Sequence, residues 1–169
     1  MTGVRLEPLS GAHLTGLREL IDDPTIRRFT RIPDDPPAGF AEQWLGRYEQ
    51  GRLTGECEAF ALFGDDGAFL GFAGAVHVDR EAATAELGYM IARAARGRGV
   101  ATQALRELTA RCFAQDLVRL ELLIAVANVG SQKVAERCGY TCEGVLRSKH
   151  VKELLREDTQ IWSRLPTDP

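Results

Sequence analysis

From residue 3 the chain alternates apolar and polar side chains over GVRLEPL, the period of two that marks a short strand. Ser10 then stands where a helix cap belongs, ahead of Leu14, Leu17, Leu20 and Ile21 on one helical face. Asp23-Pro24 breaks that face, and a short helical turn carries Ile26 and Phe29. Residues 33–37 (PDDPP) are a loop whose last prolines suit the start of a helix bearing Phe40, Trp44 and Tyr48. After Gly51 the period shortens to two. Residues 57–63 and 68–78 read as strands joined by a tight turn at Asp65-Asp66-Gly67, and 84–91 (TAELGYMI) as a third, making an antiparallel meander. The spacing of Ala101, Ala104, Leu105, Leu108 and Cys112 predicts a helix over 99–115. A strand over 119–127, a helix from Asn128 to Gly139, and strands over about 140–147 and 156–164 complete the order. The elements describe an α/β (α+β) fold with a meander first and one strand–helix–strand unit in the middle. No repeat or linker interrupts it, so one domain over 1–169 is expected, with a frayed tail from about 165.

Composition narrows the function classes. At 169 residues, 44% hydrophobic and 27% charged, the chain is globular rather than disordered. Its net charge of −3 argues against a nucleic-acid-binding surface, so any polyanion site must be local. The longest apolar run, Leu122 to Ala127, is far short of the roughly 20 residues of a membrane span, and the N-terminus carries no signal-peptide pattern. A cytoplasmic protein is expected, with no membrane and no nucleic-acid partner. Cys57, Cys112, Cys138 and Cys142, with His13, His77 and His150, show no C-x-x-C or H-x-x-x-H spacing, so no metal site is expected. The cysteines read as buried, reduced thiols.

The stretch from Leu87 to Arg106 contains Arg93, Arg96, Arg98 and Arg106 and no acidic residue. Within it, Arg96-Gly97-Arg98-Gly99-Val100-Ala101-Thr102 follows a strand and opens a helix. Free N–H groups and the positive dipole end of a helix start attract an anion, glycines admit close approach, and arginines add charge-assisted bonds. On these residues alone, a phosphate site and a solvated glycine-containing turn are equally good readings. The P-loop pattern is absent. A dinucleotide-binding fingerprint fails because Thr102 stands at its third glycine and the preceding strand belongs to a meander.

Arg96-x-x-Gly99-x-Ala101 resembles the [QR]-x-x-G-x-[GA] signature of the GNAT superfamily of acyl-coenzyme A-dependent N-acyltransferases. The strand AELGYMI before it, the helix and strand after it, Asn128, and Arg137-Cys-Gly-Tyr-x-x-Glu-Gly occur in the same order as in that family. The string from Asn128 through Ser131 to Gly139-Tyr140, the opening VRLEPL and the closing Arg156-Glu-Asp-x-x-x-Trp-Ser are similar to the branch holding the RimJ/RimL ribosomal-protein N-terminal acetyltransferases. The resemblance covers nearly the whole chain. It implies a central mixed, mostly antiparallel sheet of about six to seven strands flanked by about four helices. It also implies acetyl-CoA as the acyl donor. The N–H groups of Arg96, Gly97, Arg98, Gly99, Val100, Ala101 and Thr102 would hold the pyrophosphate. Tyr89, Met90 and Ile91 would pair through their backbone with the pantetheine arm at a splay from residues 119–127, and Asn128 would bond the arm from the far side. Asn128 is equally placed to cap a helix. A homodimer is left open.

Acyl transfer to an amine needs a proton acceptor, alignment, oxyanion stabilisation and a leaving thiolate. Glu86, Glu121, Glu143 and Asp158 lie near the expected strand core. Glu86 occupies the position where related enzymes have a candidate water-mediated base; its competing readings are a charged residue on the solvent side of a strand and half of a structural ion pair. The tyrosine that many family members carry seven residues after the asparagine is Ala135 here. Ser131, at the position where the branch has a serine within reach of the coenzyme sulfur, is the candidate partner of the thiolate. Phe29, Trp44 and Tyr48 are candidate acceptor-side residues or plain core, and Asp34 and Asp35 either attract an amine or are merely solvated. The acceptor is a protein N-terminus or a small amine such as an antibiotic, amino acid or polyamine. A catalytically weak coenzyme A-binding sensor is the alternative reading.

Overall fold

The computed structural model describes residues 3–169. Seven strands form one sheet: β1 (Val4–Pro8), β2 (Glu58–Gly64), β3 (Phe69–Asp79), β4 (Thr84–Ile91), β5 (Arg119–Ala125), β6 (Thr141–Lys152) and β7 (Leu155–Arg164). Their spatial order is β1-β2-β3-β4-β5-β7-β6, and every neighbouring pair is antiparallel except β4 and β5. Five helices surround the sheet: α1 (Leu14–Asp22), α2 (Pro24–Phe29), α3 (Phe40–Thr54), α4 (Val100–Phe113) and α5 (Val129–Arg137). The mixed, mostly antiparallel sheet is the one expected. The extra helix is α2, which Asp23 starts by accepting hydrogen bonds from the N–H groups of Thr25 (2.8 Å) and Ile26 (3.2 Å), with Pro24 at the first helical position.

Both faces of the sheet are covered, which the alternation along the strands dictates. Leu120, Leu122 and Ile124 of β5 pack with Ala104, Leu105, Leu108 and Cys112, the buried stripe of α4. On the other face Leu17, Leu20, Trp44 and Leu45 from α1 and α3 pack on Ala61, Phe72 and Met90. Burying each such large apolar side chain is worth about 1.5–3 kcal/mol, so these two clusters supply most of the drive to fold.

Several boundaries differ from the sequence reading. Ser10 opens a single 3-10 turn (Gly11–His13), in which the His13 imidazole accepts from its backbone N–H at 3.1 Å, and the α-helix begins only at Leu14. β5 ends at Ala125, and Val126 and Ala127 are exposed because the chain turns there towards α5. β6 and β7 run on to meet at Lys152 and Leu155, so residues 148–155 are hairpin rather than connection. Cys57, Cys112 and Cys138 are buried free thiols, whereas Cys142 is exposed on β6.

One charged cluster ties three strands together at the far end of the sheet. Arg119 of β5 donates to Glu143 of β6 at 2.9 and 2.6 Å and to Glu121 at 2.7 Å, while the Ser163 hydroxyl of β7 donates to Glu143 at 2.7 Å. The Arg119 guanidinium, then the Ser163 hydroxyl, hold the Glu143 carboxyl down at about 2 against an ordinary 4.5. A carboxyl lowered on folding stabilises the fold above its unfolded value and loses that contribution as pH falls through the folded one. Glu143→Gln is therefore expected to melt lower than the wild type at neutral pH, with a difference that shrinks as pH drops from 4.5 towards 2. Melting curves across that window test this, and a pH-independent difference would exclude the ion pair as its source.

Candidate active site

The parallel pairing of β4 with β5 lasts for three residue pairs, Thr84–Arg119, Ala85–Leu120 and Glu86–Glu121, and then stops. Beyond Glu86 the two strands diverge, although each stays paired on its outer side, β4 with β3 and β5 with β7. The edge of β4 from Leu87 to Ile91 that faces β5 thus lacks a strand partner, a row of N–H and C=O groups ready to pair with an extended ligand. A cavity of about 1480 Å³ occupies the gap, lined by Leu87–Ile91 of β4 and Leu122–Ala125 of β5. That volume exceeds the roughly 300–1,000 Å³ of a one-ligand pocket, leaving room for two reactants side by side.

At one end of the cavity the chain turns through Gly97 and Gly99, with φ of 73° and 80°, into α4. A Cβ at either glycine would meet nothing, so it is the left-handed backbone, not space, that calls for glycine. Gln103 is the first residue of α4 whose N–H finds a partner (Gly99 C=O, 3.0 Å), which leaves those of Val100, Ala101 and Thr102 unpaired at a positive dipole end. Gly97, Arg98 and Gly99 are exposed, Ala101 lines the cavity and Val100 is buried core. Arg96 is committed elsewhere: its guanidinium donates to the Ile91 carbonyl (3.0 Å) and to Asp23 (2.8 Å). Burial acts to raise the Asp23 carboxyl, but the N–H groups of Ile26 and Thr25 and the Arg96 guanidinium together hold it below its ordinary value. Arg96 is thus a strut between the turn before α4 and the helix pair over the other face.

Asn128 begins α5 and accepts from the Ser131 N–H at 3.2 Å, so the capping role is real. Its amide NH2 makes no hydrogen bond among the described residues and borders the cavity, as does Ser131. Tyr89 reaches in from β4. Its hydroxyl is sealed from solvent without a hydrogen-bond partner among the described residues; Ser131 sits beside it, close enough to lower its pKa but outside bonding geometry. Burial nonetheless pushes this phenol up to about 12. Tyr48, across the sheet, is also pushed to about 12 by burial and packs on Trp44 and Phe72, so with Trp44 it is both core and cavity wall.

The four candidate carboxylates separate cleanly. Glu121 and Glu143 are bound to Arg119, and Asp158 accepts from the Ser148 N–H at 2.8 Å. Glu86 lines the cavity and makes neither an ion pair nor a side-chain hydrogen bond among the described residues, which removes the structural-pair reading. Asp34 does not offer its charge to an amine, because it pairs with Lys152 of β6 at 2.5 Å. Sequence reasoning missed several cavity residues: the cations Arg31, Arg47 and Lys149, and His150 and Thr159, which each have a buried polar atom without a partner among the described residues. Burial, then the cations Arg31, Lys152 and Arg28, lower the His150 pKa against the pull of Glu157. Arg28 holds Glu157 bidentately at 2.7 and 2.6 Å, docking the hairpin onto α2 as a cavity wall. Among the described residues no group of three potential metal ligands comes together, and no helix is long and apolar enough to cross a membrane.

Asp23→Ala removes both the cap of α2 and the partner of Arg96, and is expected to cost about 2 kcal/mol. Urea unfolding checks this, and an unchanged midpoint would show that the strut carries no load.

Comparison with known proteins gives these features a family. Residues 4–141 match the family model described as an acetyltransferase (GNAT) domain. YdaF of Bacillus subtilis (strain 168), whose name proposes a ribosomal N-acetyltransferase, is 36% identical over 139 residues, covering 82% of this chain and 68% of YdaF. Among solved structures, the fold superposes with a TM-score of 0.90 on RimL, a ribosomal L7/L12 alpha-N-protein acetyltransferase in complex with coenzyme A, at 18% identity over 98% of this chain and 95% of that one. It superposes at 0.86 on the Vibrio cholerae spermidine N-acetyltransferase in complex with coenzyme A and spermine, at 19% identity over 98% and 96% of the two chains. The chain belongs to the GNAT family of acetyltransferases and is an acetyl-CoA-dependent N-acetyltransferase.

Proposed function

We propose that the protein acetylates a primary amine by direct attack on acetyl-CoA in a ternary complex, with Glu86 as proton acceptor and Ser131 beside the leaving sulfur. The observation that carries this reading is the splay, which puts an unpaired strand edge, the free N–H groups at the start of α4 and an uncommitted carboxylate along one cavity. The N–H groups of the 96–102 turn receive the pyrophosphate through backbone rather than through the Arg96 side chain. The Tyr89–Ile91 backbone and the Asn128 amide hold the pantetheine arm. An alkyl ammonium with a pKa near 10.4 must lose a proton before it attacks, and Glu86, directly or through a water, takes it. A sensor that has lost catalysis has no use for a solitary cavity carboxylate, and this favours the enzyme.

Acetyl-CoA at 100 times its Kd is expected to add about 2.7 kcal/mol of stability in a thermal melt, with coenzyme A also stabilising and NAD and ATP inert. Glu86→Gln is expected to lower kcat by about 100-fold or more while the acetyl-CoA KM holds. Melts that ignore both coenzyme species, or transfer that survives Glu86→Gln unchanged, would overturn the reading.

The acceptor side has a charge signature of its own. The segment after α2, α3 and the β6–β7 hairpin contribute Arg31, Arg47 and Lys149 to the wall of a cavity that Glu56, Asp79 and Glu86 also line, and none of the three cations makes an ion pair among the described residues. Three unpaired cations offer a substrate anion a partner, so we read the acceptor as an amine that carries a carboxylate or another anion, such as an acidic peptide N-terminus. Acidic N-terminal peptides are expected to outperform spermidine in kcat/KM. Arg31→Glu with Lys149→Glu should narrow or invert that preference, measured with saturating acetyl-CoA. A preference for spermidine in the wild type would exclude this acceptor class.

A further inference from the structure

Resting on the acetyl-transfer reading, we propose that the Tyr89 hydroxyl, together with Ser131, donates the hydrogen bond that receives the coenzyme A thiolate as the acyl group departs. Tyr89 lies on β4 just past the point where its pairing with β5 ends, so its ring borders the gap between the strands. Among the described residues its hydroxyl is one of the few buried side-chain polar atoms without a partner, an arrangement that persists in folded proteins when a ligand or water completes it. Ser131 is the neighbouring hydroxyl on that side. One turn further along α5, Ala135 is fully buried and offers no polar group.

The alternation of the strand gives the two groups opposite duties. Glu86 and Tyr89 are three residues apart on β4 and so point to opposite faces of the sheet. Tyr89 packs towards the α4–α5 side, whereas Glu86 neighbours Tyr48 of α3. An amine that loses its proton to Glu86 approaches from one face, and the sulfur leaves towards the other. In the step itself the amine lone pair forms the N–C bond and the C–S electron pair passes to sulfur. An ammonium gives up two protons on becoming an amide. Glu86 takes the first before attack and passes it to water, and the nitrogen sheds the second to Glu86 as the C–S bond breaks, so the sulfur leaves as the thiolate. Tyr89 keeps its own proton throughout. A phenol raised to about 12 does not protonate a thiolate whose acid has a pKa near 8.5, so it stabilises the anion purely as a donor.

Tyr89→Phe deletes only an unpartnered hydroxyl and keeps the packing, so the variant should melt at or above the wild-type temperature. Its kcat is expected to fall about 10- to 100-fold with the acetyl-CoA KM unchanged, and its effect should be less than additive with that of Ser131→Ala. The decisive readout needs no turnover: the thiol of bound coenzyme A, titrated by thiolate ultraviolet absorbance, should ionise at lower pH in the wild type than in Tyr89→Phe. An identical titration in the two proteins overturns the proposal, whether or not kcat has fallen. Failure of the wild type to bind coenzyme A at all would instead remove the acetyl-transfer reading, and the proposal with it.

Discussion

Everything at the site depends on two adjacent strands that cannot stay together. β4 is fastened to β3 along its whole length, and β5 is fastened to β7 along its own, so each follows a different neighbour. Only three pairs join them before the sheet opens. An open seam in the middle of a sheet is expensive, because it strips backbone groups of partners in a partly buried setting. The fold tolerates it because α4 packs behind β3 and β4 while α5, which packs on α4, lies against β5, and because the seam is wide enough to admit solvent or an extended ligand. A molecule whose arm carries its own amide groups repairs the sheet on binding, and the free end of α4 lies where such an arm would bring its phosphates.

The charged residues are distributed to leave this seam active. Arg119 occupies two acids at the bottom of β5, Arg96 is held by Asp23, Arg28 by Glu157, and Lys152 by Asp34. Most are partly exposed and contribute little individually to stability. Their consequence is selective: acids that are already engaged cannot compete for an amine proton, and Glu86 is left uncommitted. The same sorting holds at the hairpin, where Arg28, Lys152 and Glu157 hold it against α2 while Arg31, Arg47 and Lys149 make no ion pair among the described residues.

Much of this was legible in the sequence. The 3.6-residue stripe from Ala101 to Cys112 marks α4 and period-two runs mark the meander, because each is a local pattern set by burial, and the family resemblance marks the Arg96–Thr102 turn with Asn128 and Ser131 as the candidate site. What stayed hidden depends on pairing between distant segments. No local signal says that the β4–β5 register ends at Glu86, or that Arg96 is spent on Asp23 seventy-three residues away. Residues 148–155 carry Lys149, Lys152 and Glu153 and little alternation, since an outer hairpin is held by its ladder and by salt bridges rather than by burial. His150 went unseen with it, and Thr159, inside the expected strand over 156–164, carried no signal of its own. The orphaned hydroxyl of Tyr89 is likewise a property of what surrounds it, and the sequence alone shows only a tyrosine in a strand.

Amide hydrogen exchange with and without acetyl-CoA tests the central claim most directly, because it reads the seam itself without requiring the acceptor. Slower exchange confined mainly to residues 87–91 and 100–102 on adding acetyl-CoA is the expected result. Unchanged exchange in those two stretches under saturating acetyl-CoA, or protection concentrated elsewhere on the sheet, would contradict a coenzyme held in the gap between β4 and β5.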